Sequence, residues 1–190
     1  MRKLKVFEHI SLDGVIQQSA DGTAFSQLDW TAPYRTPEGR DAVLEAQGPH
    51  FDLLLGRITY DIWASYWPGA PASPMADRIN AAKKYVATHR PEDMRWGPVE
   101  GLGDNFSEEV RRIKAEPGPD LLLWGSSTLT SELLANGLAD EVTLLVYPVL
   151  LGSGKRFLAA NAPMISLELQ DSRRFPSGIV WNRFRPLIAK

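Results

Sequence analysis

The chain contains no cysteine. That absence excludes disulfides, thiol catalysis and thiolate metal sites, and it fits a reducing compartment. Long apolar runs are missing too, because nothing approaches the ~18 consecutive apolar residues of a membrane helix. Histidine is scarce: three residues, at positions 9, 50 and 89, offer neither HExxH nor any other metal-ligand spacing. The Walker loop, the GxGxxG dinucleotide fingerprint and the GxSxG nucleophile elbow are all absent. There is no positive excess either. With 21 Lys and Arg against 23 Asp and Glu the net charge is -2, which argues against nucleic acid as a partner. The basic start is broken by Glu8, His9 and Asp13, so no secretory h-region forms and a cytoplasmic location is expected.

What is present suits a folded domain with a sizeable core: 190 residues, 44% hydrophobic and 23% charged. No repeat, low-complexity tract or linker divides them, so one domain spanning residues 1–190 is expected. Strand signals at Leu4–Leu12, Phe51–Leu55, Lys84–Thr88, Leu121–Trp124 and Glu141–Val149 alternate with helix signals. The helices are expected at Pro37–Gln47, Arg57–Ser65, Met75–Ala82, Phe106–Ala115 and after Gly125. Such alternation implies an α/β fold with a mainly parallel sheet covered on both faces. Ile165–Phe175 and Ile179–Arg185, around Pro176-Ser-Gly178, predict a closing antiparallel hairpin.

The most informative stretch is Leu121-Leu-Leu-Trp-Gly-Ser-Ser-Thr128 running into a helix that Asn136-Gly137 ends. A strand without polar alternation gives way to Gly125, Ser126, Ser127 and Thr128. Small residues there let a ligand approach the outward-pointing N–H groups of a helix start, which attract phosphate. A second turn of this kind, Gly56-Arg57-Ile-Thr59, follows Leu53-Leu-Leu55 and adds a guanidinium. Thr88-His-Arg90 follows the next strand and offers a hydroxyl and a cation for the 2′-phosphate that separates NADP from NAD. Each pattern also has a plainer reading, as an N-cap, a strand-to-helix turn or a solvated loop. Asp13, at the end of the first strand in Ser11-Leu-Asp-Gly14, is a candidate proton relay, or simply an Asp-Gly turn. His9 reads as a packed strand residue. The long loop from Gln17 to Thr36 carries Trp30 and Tyr34, and Trp30 there is a candidate to stack on a flat heterocycle or, equally, a loop anchor. Lys155 and Arg156, after Gly152-Ser-Gly154, are candidates to hold a substrate phosphate.

In this order the pieces resemble the dihydrofolate-reductase-like fold, and within it the reductase domain of riboflavin biosynthesis and its stand-alone relatives. The resemblance rests on Ser11-Leu-Asp-Gly14, Leu55-Gly-Arg-Ile-Thr-Tyr60 and Trp124-Gly-Ser-Ser-Thr-Leu129. It rests most on Leu134-Ala-Asn-Gly-Leu-Ala-Asp-Glu-Val142 running into Tyr147-Pro-Val-Leu-Leu-Gly152. It covers the chain from about Lys3 to Phe184. The resemblance implies a three-layer α/β/α architecture with a mixed, mainly parallel sheet and a C-terminal antiparallel hairpin.

By the same resemblance NADPH is the cofactor. Its phosphates would fall to Gly56, Arg57 and Thr59, its 2′-phosphate to Thr88 and Arg90, and its pyrophosphate to Gly125, Ser126, Ser127 and Thr128. Gly14 and Ile16 would lie against its nicotinamide end, with Asp13 at the reacting end and Trp30, Tyr34 and Lys155 toward the substrate. A cis Gly125–Ser126 peptide is implied too, although cis bonds are costly outside proline. The expected reaction is hydride transfer to a small heterocyclic or ribosylamino-pyrimidine substrate, from a homodimer, without metal, membrane or nucleic acid. Two alternatives stand beside it: a dihydrofolate or pterin reductase, and a non-catalytic nucleotide-binding protein of the same fold. Departures touch the substrate side. No acidic residue matches the pterin-facing position, and Val15-Ile16 stand where riboflavin-pathway enzymes carry a basic or polar residue.

Overall fold

The computed structural model describes residues 1–18 and 29–187. Eight strands form one sheet: β1 (Leu4–Ser11), β2 (Phe51–Gly56), β3 (Lys84–Ala87), β4 (Val99–Leu102), β5 (Asp120–Trp124), β6 (Glu141–Tyr147), β7 (Ser166–Arg174) and β8 (Val180–Leu187). Their order across the sheet is β4-β3-β2-β5-β1-β6-β8-β7. The six strands from β4 to β6 pair in parallel, and β8 runs antiparallel to both its neighbours. The central strands are buried because they are apolar on both faces: Leu121, Leu122 and Leu123 of β5 are each no more than 1% exposed.

Among the described residues five α-helices cover the sheet: α1 (Pro37–Gln47), α2 (Arg57–Tyr66), α3 (Pro74–Ala81), α4 (Phe106–Ala115) and α5 (Ser127–Ala135). One apolar cluster joins Val43 of α1, Tyr60 of α2 and Ile79 of α3 to Phe7, Leu53 and Leu122. A second joins Val110 and Ile113 of α4 and Leu133 of α5 to Leu4, Val6 and Leu123. Residues from one strand feed opposite clusters because side chains alternate across a sheet. The result is the three-layer, dihydrofolate-reductase-like architecture. Chain-end anchoring comes from Arg2, whose guanidinium donates to Pro119 O at 2.5 Å, to Tyr85 Oη at 3.3 Å and to the Asp52 carboxylate.

The strand β4 was not foreshadowed by the sequence. Val99-Glu-Gly-Leu102 is too short to show a period, and its glycine argues against a strand. Gly101 is needed there because a Cβ would lie 3.0 Å from Pro91 Cβ and 3.1 Å from Met94 Cε. The implied cis Gly125–Ser126 bond is corrected as well. Among the described residues the cis peptide is Gly97–Pro98, and Gly125 reverses the chain with φ 76° instead. Glycine adopts that region without the Cβ clash, so no costly cis amide is required.

Two segments meet beside the carboxyl end of β1. Val15 bridges Arg156, Ile16 N donates to Lys155 O at 2.8 Å, and Phe157 N donates to Gly14 O at 3.0 Å. The glycine-rich loop 151–157 is thereby tied to the start of the long first loop.

Candidate active site

The helix starts differ in how they are finished. Thr36 Oγ1 accepts from Gly39 N at 3.1 Å to cap α1, and Ser73 Oγ accepts from Ala76 N at 3.2 Å to cap α3. At α2 and α5 the N-cap residues Gly56 and Ser126 make no such bond. The first-turn N–H groups of these two helices thus receive no bond from the N-cap side chain, and each helix dipole points its positive end outward. The helix α4 also starts without a side-chain cap, but it follows the edge strand β4.

The starts of α2 and α5 lock together because β2 and β5 are neighbours. Thr59 Oγ1 donates to Gly125 O at 3.1 Å. A Cβ on Gly56 would sit 2.9 Å from Ser126 Oγ, and one on Gly125 would sit 3.1 Å from Thr59 Cγ2. Two glycines are therefore required where the turns touch. Ser127 is spent inside the fold, its hydroxyl donating to Arg156 O, while Thr128 is exposed.

A cationic corner adjoins this pair. Arg57 Nε donates to Asp61 Oδ1 at 2.8 Å, and Nη1 reaches Arg90 O at 2.5 Å and Thr88 Oγ1 at 3.4 Å. Thr88 Oγ1 in turn accepts from Arg90 N at 3.0 Å. Residues from two separate stretches, Arg57 and the turn Thr88–Arg90, thus share one site, with the Arg57 side chain 14% exposed. Nη2 takes no part in these bonds.

From the interlocked turns a cavity of about 920 Å³ opens along the carboxyl ends of β1, β5 and β6. Thr59 and Gly125 line one end; Ile16, Tyr34, Trp63, Trp124, Leu145, Tyr147 and Lys155 are among the other walls. It is mostly apolar with a few convergent polar groups, as small-molecule sites are. His9 also lines it, stacked on Trp124 at 5.6 Å and 14° between planes. Its Nδ1 lies 2.7 Å from Tyr147 Oη. Burial lowers the His9 pKa to about 4 and raises that of Tyr147 far above its ordinary value. Both are neutral at pH 7.

Glu8 is the residue the sequence reading passed over. It is 1% exposed, lines the cavity, and accepts from Gly125 N at 2.5 Å. Burial outweighs that bond and the nearby Lys155 charge, and pushes its pKa up to about 8. A carboxyl group between Phe7 and Ile10, in a strand with an otherwise apolar core, was the available signal.

Other expected residues fall elsewhere. Asp13 and Gly14 are outside the cavity lining. Asp13 Oδ1 accepts from Ser11 Oγ at 2.6 Å and Leu151 N at 3.1 Å, and Oδ2 accepts from Gly152 N at 2.7 Å. Those bonds, the Ser11 hydroxyl foremost, hold its pKa down at about 2. An aspartate so engaged fixes the 151–157 loop. Trp30 is 8% exposed, packs edge-on to Tyr147 and donates to Gln17 O at 2.6 Å, which anchors the loop beneath the cavity. The expected loop between residues 19 and 28 lies outside the described residues. No helix among the described residues is long and apolar enough to cross a membrane, and no cluster there has the makings of a metal site.

Comparison with known proteins bears on the fold and the family. The family model of the RibD C-terminal domain matches residues 2–181. The uncharacterized protein YyaP of Bacillus subtilis (strain 168) is 31% identical over 140 residues, covering 68% of this chain and 73% of YyaP. Among solved structures, a diaminohydroxyphosphoribosylaminopyrimidine deaminase/5-amino-6-(5-phosphoribosylamino)uracil reductase from Thermotoga maritima aligns with TM-score 0.65 at 18% identity. That alignment covers 98% of this chain and 57% of the Thermotoga chain. Dihydrofolate reductase from Enterococcus faecalis, complexed with NADP(H), aligns with TM-score 0.64 at 14% identity over 97% of this chain and 96% of its own. The matched residues carry one conclusion: the chain belongs to the RibD C-terminal domain family.

Proposed function

We propose that this protein is an NADPH-dependent reductase that transfers hydride to a small heterocyclic or ribosylamino-pyrimidine substrate. The reading resembles in class the 5-amino-6-(5-phosphoribosylamino)uracil reductase activity of the Thermotoga protein. One observation carries it: two uncapped helix starts, interlocked through glycines, stand between a cationic corner and an apolar cavity. This arrangement suits a long, anionic, jointed ligand with a flat head. Chemically, the bound nicotinamide supplies the hydride.

The chain's own residues do the rest. The N–H groups at the starts of α2 and α5 bind phosphate, and close approach is possible because Gly56 and Gly125 lack side chains. Arg57, oriented by Asp61 and Arg90 O, and the Thr88 hydroxyl take the 2′-phosphate. Ile16, Trp124 and Leu145 exclude water from the reacting end. Lys155, Tyr34 and Arg35 face the substrate side of the cavity, where a substrate phosphate would be neutralised.

A pterin substrate fits less well. The helix α1 presents Gly39, Arg40 and Val43 to the cavity and none of its carboxylates, Glu38, Asp41 and Glu45. Asp29 lines the cavity but is paired with Arg35.

Titration with NADPH and NADH, followed by tryptophan fluorescence, tests the reading in wild type and Arg57→Ala. Loss of a charge-assisted phosphate contact weakens NADPH binding by about 1.5–3 kcal/mol, or roughly 10- to 150-fold. Binding of NADH, which lacks the 2′-phosphate, stays within about twofold. Equal losses for both dinucleotides refute the 2′-phosphate assignment. Failure of wild type to oxidise NADPH with any pyrimidine or pterin offered favours the non-catalytic alternative.

A further inference from the structure

We propose that Glu8 is the catalytic acid of this site, giving its carboxyl proton to the oxygen or nitrogen of the C=O or C=N bond that takes up hydride at carbon. The inference rests on the reductase reading above and supplies the half of the reaction that the cofactor does not. Hydride bonds to the substrate carbon, the π pair moves onto the heteroatom, and that pair takes the Glu8 proton. The products are an alcohol or amine, oxidised cofactor and a Glu8 carboxylate, which solvent reprotonates through the cavity.

The geometry favours Glu8 by position. Phe7 pairs with Trp124 at the last residue of β5, so Glu8 lies just past the end of that strand, against the turn that begins at Gly125. Its Oε1 accepts from Gly125 N, and Gly125 O is held by Thr59. The carboxyl is therefore fixed where the interlocked turns meet the apolar cavity, at the junction between the phosphate cradle and the substrate space. The carboxylate left after transfer would keep the Gly125 amide bond and the attraction of Lys155.

Three other titratable groups of the cavity are poorer donors. His9 has lost its proton at neutral pH, and Tyr147 holds its proton too tightly. Asp29 is ion-paired with Arg35. Glu8 alone among these combines a neutral-pH proton with a pKa near the operating range, about 8, as a general acid requires.

Three measurements test the assignment. Infrared spectroscopy of the cofactor-free protein at pH 7 should show a carboxylic-acid C=O band that is missing in Glu8→Gln and fades in wild type above about pH 8. Fluorescence titration should give Glu8→Gln an NADPH affinity within about twofold of wild type. With 5-amino-6-(5-phosphoribosylamino)uracil as probe, Glu8→Gln should lower kcat by on the order of 100-fold or more. It should also abolish the alkaline fall in rate.

An ionised Glu8 at pH 7 overturns the proposal, as does a Glu8→Gln enzyme with wild-type kcat. A tenfold loss of NADPH affinity in Glu8→Gln overturns it as well, by making Glu8 a cofactor ligand. The reductase reading fails separately, if wild type binds no NADPH, and this inference then falls with it. Wild type that binds NADPH yet leaves the pyrimidine unreduced overturns the substrate reading, and the infrared band then decides for or against Glu8.

Discussion

Replacing Gly125 by alanine probes the joint between the two turns. Gly125 has φ 76°, a region in which an L-residue costs about 1–2 kcal/mol. The new Cβ would lie 3.1 Å from both Thr59 Cγ2 and Thr59 Oγ1, so Thr59 must move and its bond to Gly125 O weakens. Losing that bond adds about 1 kcal/mol. The sum is about 2–3 kcal/mol, or roughly 5–10 °C in Tm for a chain of this size. Thr59→Ala supplies the control. With the hydroxyl and methyl gone, the contact that remains is with the Cβ at 3.7 Å, an ordinary distance. In that background Gly125→Ala should cost only the backbone part, so the double-mutant cycle should show coupling of about 1 kcal/mol. Urea denaturation of the four proteins measures it. A Gly125→Ala cost below about 0.5 kcal/mol, or strict additivity with Thr59→Ala, would refute the interlock.

Two further outcomes follow from the geometry. Asp13 has a folded pKa of about 2 against an ordinary 3.8, so its carboxylate adds stability above pH 3.8 and loses it as pH falls toward 2. Asp13→Asn should be less stable than wild type at pH 7, with the gap closing in acid, while NADPH oxidation persists; denaturation across pH and a rate assay check both halves. Arg2→Met removes the ion-pair partner of the largely buried Asp52, whose side chain is 13% exposed, and leaves it the Lys83 N–H at 3.3 Å. It should cost about 3–5 kcal/mol in urea denaturation, and a loss below about 1 kcal/mol would show that Asp52 finds another partner or solvent.

Much of the scaffold was legible because periodicity and punctuation are local. The apolar run Leu121–Leu123 marked a strand covered on both faces, and Pro37–Gln47 was readable as α1. The glycines at 56 and 125 were readable as turns, and Arg57, Thr88 and Arg90 as cation and hydroxyl at strand ends. The short strand β4 was not readable, since four residues containing Gly101 carry no period. Asp13 and Trp30 illustrate a different limit. A loop carboxylate or indole has the same chemistry whether it faces a ligand or the fold, and only the partners at Ser11, Leu151, Gly152 and Gln17 tell which.

The residue order by itself determined the alternation of strands and helices, the small-residue turns and the family motifs, since these follow from backbone preference and from side chains a few positions apart. The tertiary structure decided which turns meet. Gly56 and Gly125 become neighbours only because β5 inserts beside β2 in the sheet. The same insertion sets Glu8 against an amide 117 positions away and buries it, which changes a surface-type acid into one that keeps its proton. Burial and long-range pairing depend on sheet order, and no local pattern encodes that order.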